Sequence, residues 1–192
     1  DGSKLRQDQM ELLKMLLFVD DICKRNNIKW WLSSGTLIGA ARHNGFIPWD
    51  DDLDIAMLKS DYKRLKKILR NLDSKEYVLH DMESDVDYVN VFGKFRKRNG
   101  AIHSTSRRYN YYKWRGIGFD IFAVEKNSYL AARIASVIYG NLQHITSYIK
   151  WNWLRKPLIR LIEILCLCII NPILRLIGLI NPRGEYHYSL GT

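Results

Sequence analysis

The stretch WDDDLDIAM, residues 49–57, decides how this sequence is read. In an extended strand, side chains two apart share a face. Asp50, Asp52 and Asp54 are therefore predicted on one side, with Leu53, Ile55 and Met57 buried on the other. Three carboxylates on one face repel one another unless a cation holds them. An all-oxygen cluster of this type suits a hard ion such as Mg²⁺ or Mn²⁺. An acidic turn capping the next element would account for Asp-Asp-Asp alone, but two features elsewhere favour the metal. A small Gly-Thr turn, Gly35-Thr36, lies upstream, and Asp120 lies downstream inside the apolar run GFDIF (118–122). Apolar neighbours exclude an unpaired charge, so a metal shared with Asp52 and Asp54 would account for a carboxylate at that place.

Working outward, residues 4–27 show a broad apolar stripe (Leu5, Leu12, Leu13, Leu16, Leu17, Val19, Ile22) that predicts a helix ended by Asn26-Asn27. IKWWLS (28–33) is aromatic and β-prone and predicts a buried strand. GTLIGAARHNG (35–45) predicts a short helix or turn. SDYKRLKKILRNL (60–72) predicts an amphipathic helix capped by Ser60. Further strands are predicted at 77–82, 88–97 and 116–124, and a wholly helical pattern from about Asn127 onward. The expected fold class is α+β, a mixed β-sheet core flanked by helices and followed by a helical C-terminal region. The expected division is a catalytic domain at 1–125 and a helical, membrane-associated region at 126–192.

The 192 residues carry a net charge of +10, enough chain for one sizeable core. With 47% apolar and 26% charged residues the chain is neither a disordered polymer nor a conventional multi-span membrane protein. The charge is uneven: residues 126–192 hold 8 basic and only 2 acidic side chains. Such a surface suits nucleic acid, an anionic membrane or phosphate-bearing small molecules. Within 157–182 the longest uninterrupted apolar run, Ile164 to Ile170, is far below the ~20 residues needed to span a bilayer. A helix pair packed on the domain, or helices lying on a membrane with Trp151, Trp153, Arg155 and Lys156 at the interface, are the alternatives. Cys23, Cys166 and Cys168 fit neither a disulfide framework nor a zinc site, which favours reduced thiols and the cytosol. The opening DGSKLRQDQM has no apolar signal-peptide core and no initiator Met, which reads as a trimmed fragment.

Between Lys94 and Arg115 lie eight basic residues and no acidic one, interleaved with Tyr109, Tyr111, Tyr112 and Trp114. The segment reads as a nucleic-acid surface, as a loop folding over a pyrophosphate, or as a solvated basic hairpin. Lys94 and Arg96 share a strand face and are the expected phosphate contacts. Arg42 is expected either to pair with Asp50 or to hold a phosphate. His43 is expected either as a base for an acceptor hydroxyl or in a structural hydrogen bond.

A Gly-Thr turn, then Asp-x-Asp, then a distant strand Asp resembles the layout of the nucleotidyltransferase superfamily. In that layout the glycine lets the backbone approach a phosphate and the Thr hydroxyl donates to it, while the carboxylates hold divalent ions against substrate phosphates. More specifically, LSSGTLIGAARHNGFIPWDDDLDIAM (32–57) resembles the signature of the LicD family, which is related to fukutin and fukutin-related protein. FGKFRK (92–97) and GIGFDIF (116–122) resemble that family's later motifs, so the resemblance covers residues 4–125. It implies metal binding by Asp52, Asp54 and Asp120 with Asp50 beside them, and a phosphate-side turn at Gly35 and Thr36. It implies a phosphotransferase moving phosphocholine or a related phospho-alcohol from a CDP-activated donor to a cell-surface glycan such as lipopolysaccharide or teichoic acid. The expected setting is the cytoplasm, with peripheral contact to the inner membrane face, and nucleic acid is not expected as a partner. The alternatives are a nucleotidyltransferase acting on RNA or protein, and a non-catalytic basic nucleotide- or nucleic-acid-binding module. The family's acceptor-side region near its C-terminus has no match in GEYHYSLGT (184–192), so either the chain is shortened or its C-terminal helices take that region's place.

Overall fold

The computed structural model describes residues 3–72, 74–88, 90–101, 107–128, 152–170 and 184–188, with shorter stretches between 130 and 141 and between 172 and 176. The chain divides into two compact units. Residues 1–80, 93–103 and 114–123 make the first, and 81–92, 104–113 and 124–192 the second.

The first unit opens with helix α1 (Lys4–Arg25), whose N-cap Ser3 accepts a hydrogen bond from the Arg6 amide at 3.2 Å. Its C-cap is Asn26, and Asn27 turns the chain away at φ 50°. Strand β1 (Trp31–Leu32) leads into helix α2 (Ser34–His43), strand β2 (Asp54–Leu58) and helix α3 (Lys59–Asn71). Strands β3 (Tyr77–His80), β4 (Gly93–Lys97) and β5 (Gly118–Ser128) follow. The sheet order is β1-β2-β5-β4-β3. The β1–β2, β3–β4 and β4–β5 pairs are antiparallel, and the last sets Lys94 opposite Asp120 and Arg96 opposite Gly118. Leu12, Met15, Val19, Ile55, Met57, Leu65, Phe95, Phe119 and Ile121 fill the core, each at most 1% exposed. The fold is α+β, as expected.

Several boundaries differ from the sequence reading. The strand expected over 51–57 begins only at Asp54, so Asp50 and Asp52 stand in the loop ahead of it. Ser60 is not a cap: the chain passes from β2 to α3 without a connecting loop, leaving Leu58 at the N-cap with no side-chain bond. The strand expected from 88 begins at 93. Residues 81–87 form turns instead, in which Asp81 Oδ1 accepts from the Ser84 amide and Asp85 Oδ1 from the Asp87 amide, a local alternative to the ladder.

In the second unit, β5 continues through 124–128 and pairs antiparallel with β6 (Gly184–Tyr188). The helical pattern expected from Asn127 onward is thus broken at both ends, because GEYHY offers alternating aromatics to an available strand edge. Between them, helix α4 (Asn152–Leu165) contains Pro157 and passes into a π-helical segment, Cys166–Ile170. No helix among the described residues is long and apolar enough to cross a membrane. Trp151 and Pro182, expected at the borders of the interfacial region, lie outside the described residues.

Candidate active site

The site is built in the first unit, where three pieces of backbone are tied together. The Asp54 amide donates to Thr36 Oγ1 at 2.8 Å, the Ser33 amide donates to the Asp54 carbonyl at 3.0 Å, and the Asp120 amide donates to the Leu53 carbonyl at 3.0 Å. These bonds fix the start of β2 between the first turn of α2 and strand β5. They set the Asp54 and Asp120 carboxyls near each other.

The electrostatics record that crowding. Burial, then the Asp120 and Asp52 charges, push the Asp54 carboxyl up to about 6, against a hydrogen bond from Ser34 and the pull of Lys94. Burial also raises Asp120, offset by Lys94 and more weakly by Arg96. Asp52 is raised by partial desolvation and by Asp51 and Asp50, with Lys94 again opposing. Lys94 Nζ pairs with Asp120 Oδ1 at 2.9 Å. Lys94, helped more weakly by Arg96, faces several mutually repelling carboxylates, which leaves a negative excess, the condition under which a divalent cation is held.

The loop before β2 adds to this excess. Asp50, Asp51 and Asp52 each offer an oxygen within 4.8 Å of the others. Asp50 lies against the first turn of α2, since a Cβ on Gly35 would come 3.0 Å from its Oδ2. Glycine there leaves room for the carboxylate at the positive end of a helix. Asp52 belongs to both groups, the loop trio and the Asp52, Asp54 and Asp120 set. The donors are all oxygens, which fits Mg²⁺ or Mn²⁺ in chemistry and charge.

Two backbone devices hold the loop. The Asp50 amide closes a turn onto the Ile47 carbonyl at 3.0 Å, with Pro48 and Trp49 at its centre. Gln9 of α1, 3% exposed, donates from Nε2 to the carbonyls of Ile47 at 3.2 Å and Asp50 at 2.8 Å. Gly39 lets α2 approach this loop, because a Cβ would sit 2.6 Å from the Gly45 carbonyl.

The other expected residues fall into two groups. His43 is exposed on the last turn of α2, its ring 6.1 Å from and near-perpendicular to that of Trp49, and Arg42 beside it is exposed. Arg96, expected on the phosphate, is instead 1% exposed and donates from Nη1 to the Gly116 carbonyl at 2.8 Å. It ties β4 to the entry of β5 and supplies counter-charge to Asp120. The interleaved aromatics are engaged locally: Trp114 stands edge-on to His80 and beneath Arg98, while in the second unit Tyr112 packs against Tyr88 and Tyr109.

Three contributors escape the sequence reading. Asp51 was hidden by strand alternation, which assigns it to the opposite face, whereas residues 50–52 are loop and follow no such rule. Ser34, at φ 49°, reaches the Asp54 carboxyl, and its only sequence signal is its place beside Gly35. Gln9 looks like any polar position of an amphipathic helix.

Known proteins share this stretch of chain. Residues 27–150 match the family described as LicD/FKTN/FKRP, nucleotidyltransferase domain. The lipopolysaccharide cholinephosphotransferase LicD of Haemophilus influenzae is 48% identical over 60 residues, 31% of this chain and 23% of that protein. An uncharacterized protein of Rickettsia prowazekii is 40% identical over 70 residues, covering 36% of this chain and 26% of its own length. The human ribitol 5-phosphate transferase FKRP is 39% identical over 44 residues, 23% of this chain and 9% of that protein. The matched stretch thus spans about a quarter or less of these relatives. The family match takes in well over half of the present sequence, including α2, the acidic loop, β2, β4 and the start of β5: the chain belongs to the LicD/FKTN/FKRP family.

Proposed function

We propose that the chain is the catalytic part of a metal-dependent phosphotransferase, moving a phospho-alcohol from a CDP-activated donor to a hydroxyl of a cell-surface glycan. Phosphocholine from CDP-choline is the first donor to test, and lipopolysaccharide or teichoic acid the acceptor class. The observation carrying this reading is the backbone tie of Asp54 to Thr36 and of Asp120 to Leu53, which sets both carboxyls beside Lys94 and next to the Asp50, Asp51 and Asp52 group. The names of the Haemophilus and human relatives, both transferases of a substituted phosphate, supply the chemistry.

Asp52, Asp54 and Asp120, with Asp50 alongside, would hold Mg²⁺ or Mn²⁺. A bound divalent ion supplies charge neutralisation on the donor phosphates. Thr36 Oγ1 already accepts from the Asp54 amide, which leaves its proton to donate to a phosphate oxygen beside the Gly35 turn. Lys94 can turn from Asp120 to a donor phosphate once the carboxylates are otherwise compensated. Arg42 would hold a phosphate, and His43, exposed on the same turn, would take the proton of the acceptor hydroxyl. No Ser, Cys or His arrangement at the site calls for a covalent enzyme intermediate.

In this reading residues 1–125 carry the chemistry and 126–192 bring it to a membrane surface from the cytoplasmic side. Trp153, Leu161, Ile164 and Ile169 of the α4 region are exposed alongside Lys156 and Arg160, the mixture an interfacial helix uses.

The test has two arms. Calorimetry with MnCl₂ should give a site that Asp52→Ala removes. With a lipopolysaccharide or teichoic acid acceptor present to take the phospho-alcohol on a hydroxyl, CMP release should follow incubation with CDP-choline, or with CDP-ribitol if the alcohol differs. Pyrophosphate release from CTP would favour nucleotidyl transfer instead, and no divalent site at all would leave a non-catalytic module.

A further inference from the structure

Trp49 is 76% exposed, although the loop that carries it is hydrogen-bonded at both ends. The turn Ile47–Asp50 has Pro48 at its second position, where the fixed proline φ pre-sets the turn. Gln9 clamps both ends of that turn to α1, and Gly39 lets it lie against α2. The indole is therefore presented to solvent by a rigid support, directly before the carboxylate cluster in the chain. It contributes little to the core, and the exposed His43 ring stands 6.1 Å from it, near-perpendicular.

We propose that Trp49 is the platform on which a neutral sugar ring of the acceptor stacks. The proposal deepens the transferase reading and rests on it for the identity of the acceptor. The surroundings select the ligand class. A phosphate that is not held by the bound ion would meet the exposed carboxylates of Asp51 and Asp52, which follow closely in the chain. A cationic group would meet Arg42, exposed at the end of α2 next to His43. A polyhydroxylated ring carries neither penalty. Its C–H face matches the electron-rich indole face, and its hydroxyls match the mixed donors and acceptors of His43, Arg42 and Asp51. The platform also lies beside the side chain assigned to take the acceptor proton, so a stacked ring would bring a hydroxyl towards His43.

Saturation-transfer NMR on the full chain tests this without metal or turnover, using methyl β-D-galactopyranoside, methyl β-D-glucopyranoside and acyclic sorbitol as probes. The expected result is saturation on ring C–H protons of at least one pyranoside and little on sorbitol. Trp49→Ala should weaken the pyranoside by about threefold to tenfold and Trp49→Phe by less, in line with the worth of one aromatic contact. Thermal melts of both variants should match the parent, because the side chain is mostly exposed. Equal saturation of sorbitol, no saturation of either pyranoside, or full retention in Trp49→Ala overturns the platform. CMP release by the parent from CDP-activated donors is scored separately: its absence sinks the transferase reading, while its presence beside a negative NMR result sinks only the platform.

Discussion

At the scale of the residue, Asp54 carries the clearest consequence. Its folded-state carboxyl titrates at about 6 against an ordinary value of 3.8, so in the metal-free chain the folded state binds the proton more tightly than the unfolded state. That preference stabilises the fold fully below about pH 4 and is lost as pH rises through about 6. Two pH units correspond to a ceiling of about 3 kcal/mol. Because the side chain is only half-buried, solvent screening leaves about 1 kcal/mol. With chelator present, urea unfolding of the parent should lose about that much relative to Asp54→Asn between pH 4 and pH 7. Asp54→Asn should then be the more stable protein at pH 7 without metal, and should gain nothing from added Mn²⁺. A parent and variant with parallel pH profiles would show that the carboxylates do not repel one another. Cys23 offers a second residue-level check. Burial, with Asp20 and Asp61 nearby, pushes its thiol up to about 12. Iodoacetamide at pH 8 should therefore label Cys23 only after denaturation, while the exposed Cys168 reacts in the native chain. Peptide mapping separates the two.

At the scale of the element, the acidic loop depends on a helix residue 38 positions from one of its anchored carbonyls and 41 from the other. Gln9 Nε2 serves two carbonyls at once, so Gln9→Leu leaves both without that donor. The expected cost is about 1–3 kcal/mol in urea unfolding, together with weaker Mn²⁺ binding as the loop loosens. A Gln9→Leu chain with parental stability and parental metal affinity would remove the clamp from the account. Gln9 also marks where sequence reading stops. The helix around it was legible because apolar residues recur at helical spacing, and its C-terminal end because Asn26-Asn27 stops it. The bond from Gln9 to residues 47 and 50 is a long-range contact and leaves no periodic trace. The same contrast runs through the site. Asp120 stood out as a charge in an apolar strand, and Asp52 and Asp54 by their spacing. The start of β2 at Asp54, and with it the grouping of Asp51 with Asp50 and Asp52, depends on hydrogen bonds to Thr36 and from β5 that spacing does not encode. Arg96 shares its strand face with Lys94, yet only the fold reveals that one is buried against Gly116 and the other paired with Asp120.

At the scale of the whole molecule, the net charge of +10 and the exposed apolar residues of the α4 region lead to one measurable behaviour. The chain should co-sediment with liposomes in proportion to their anionic lipid content, and salt should release it. Trp153→Ala combined with Ile164→Ser should reduce sedimentation while sparing Mn²⁺ binding. A chain that stays in the supernatant at every lipid composition would assign those residues to another contact. Strand β6 has a different kind of consequence. It pairs residues 184–188 with 124–128, closing a ladder across nearly sixty positions of intervening chain. During synthesis, the backbone groups of β5 that β6 will occupy are made long before their partner and wait as an open strand edge. Such an edge is a template for other nascent chains, and slow non-local closure lengthens its exposure. Expression yield should thus respond to residues 184–188: a chain stopped before Gly184 would be made in full measure and lost to inclusion bodies.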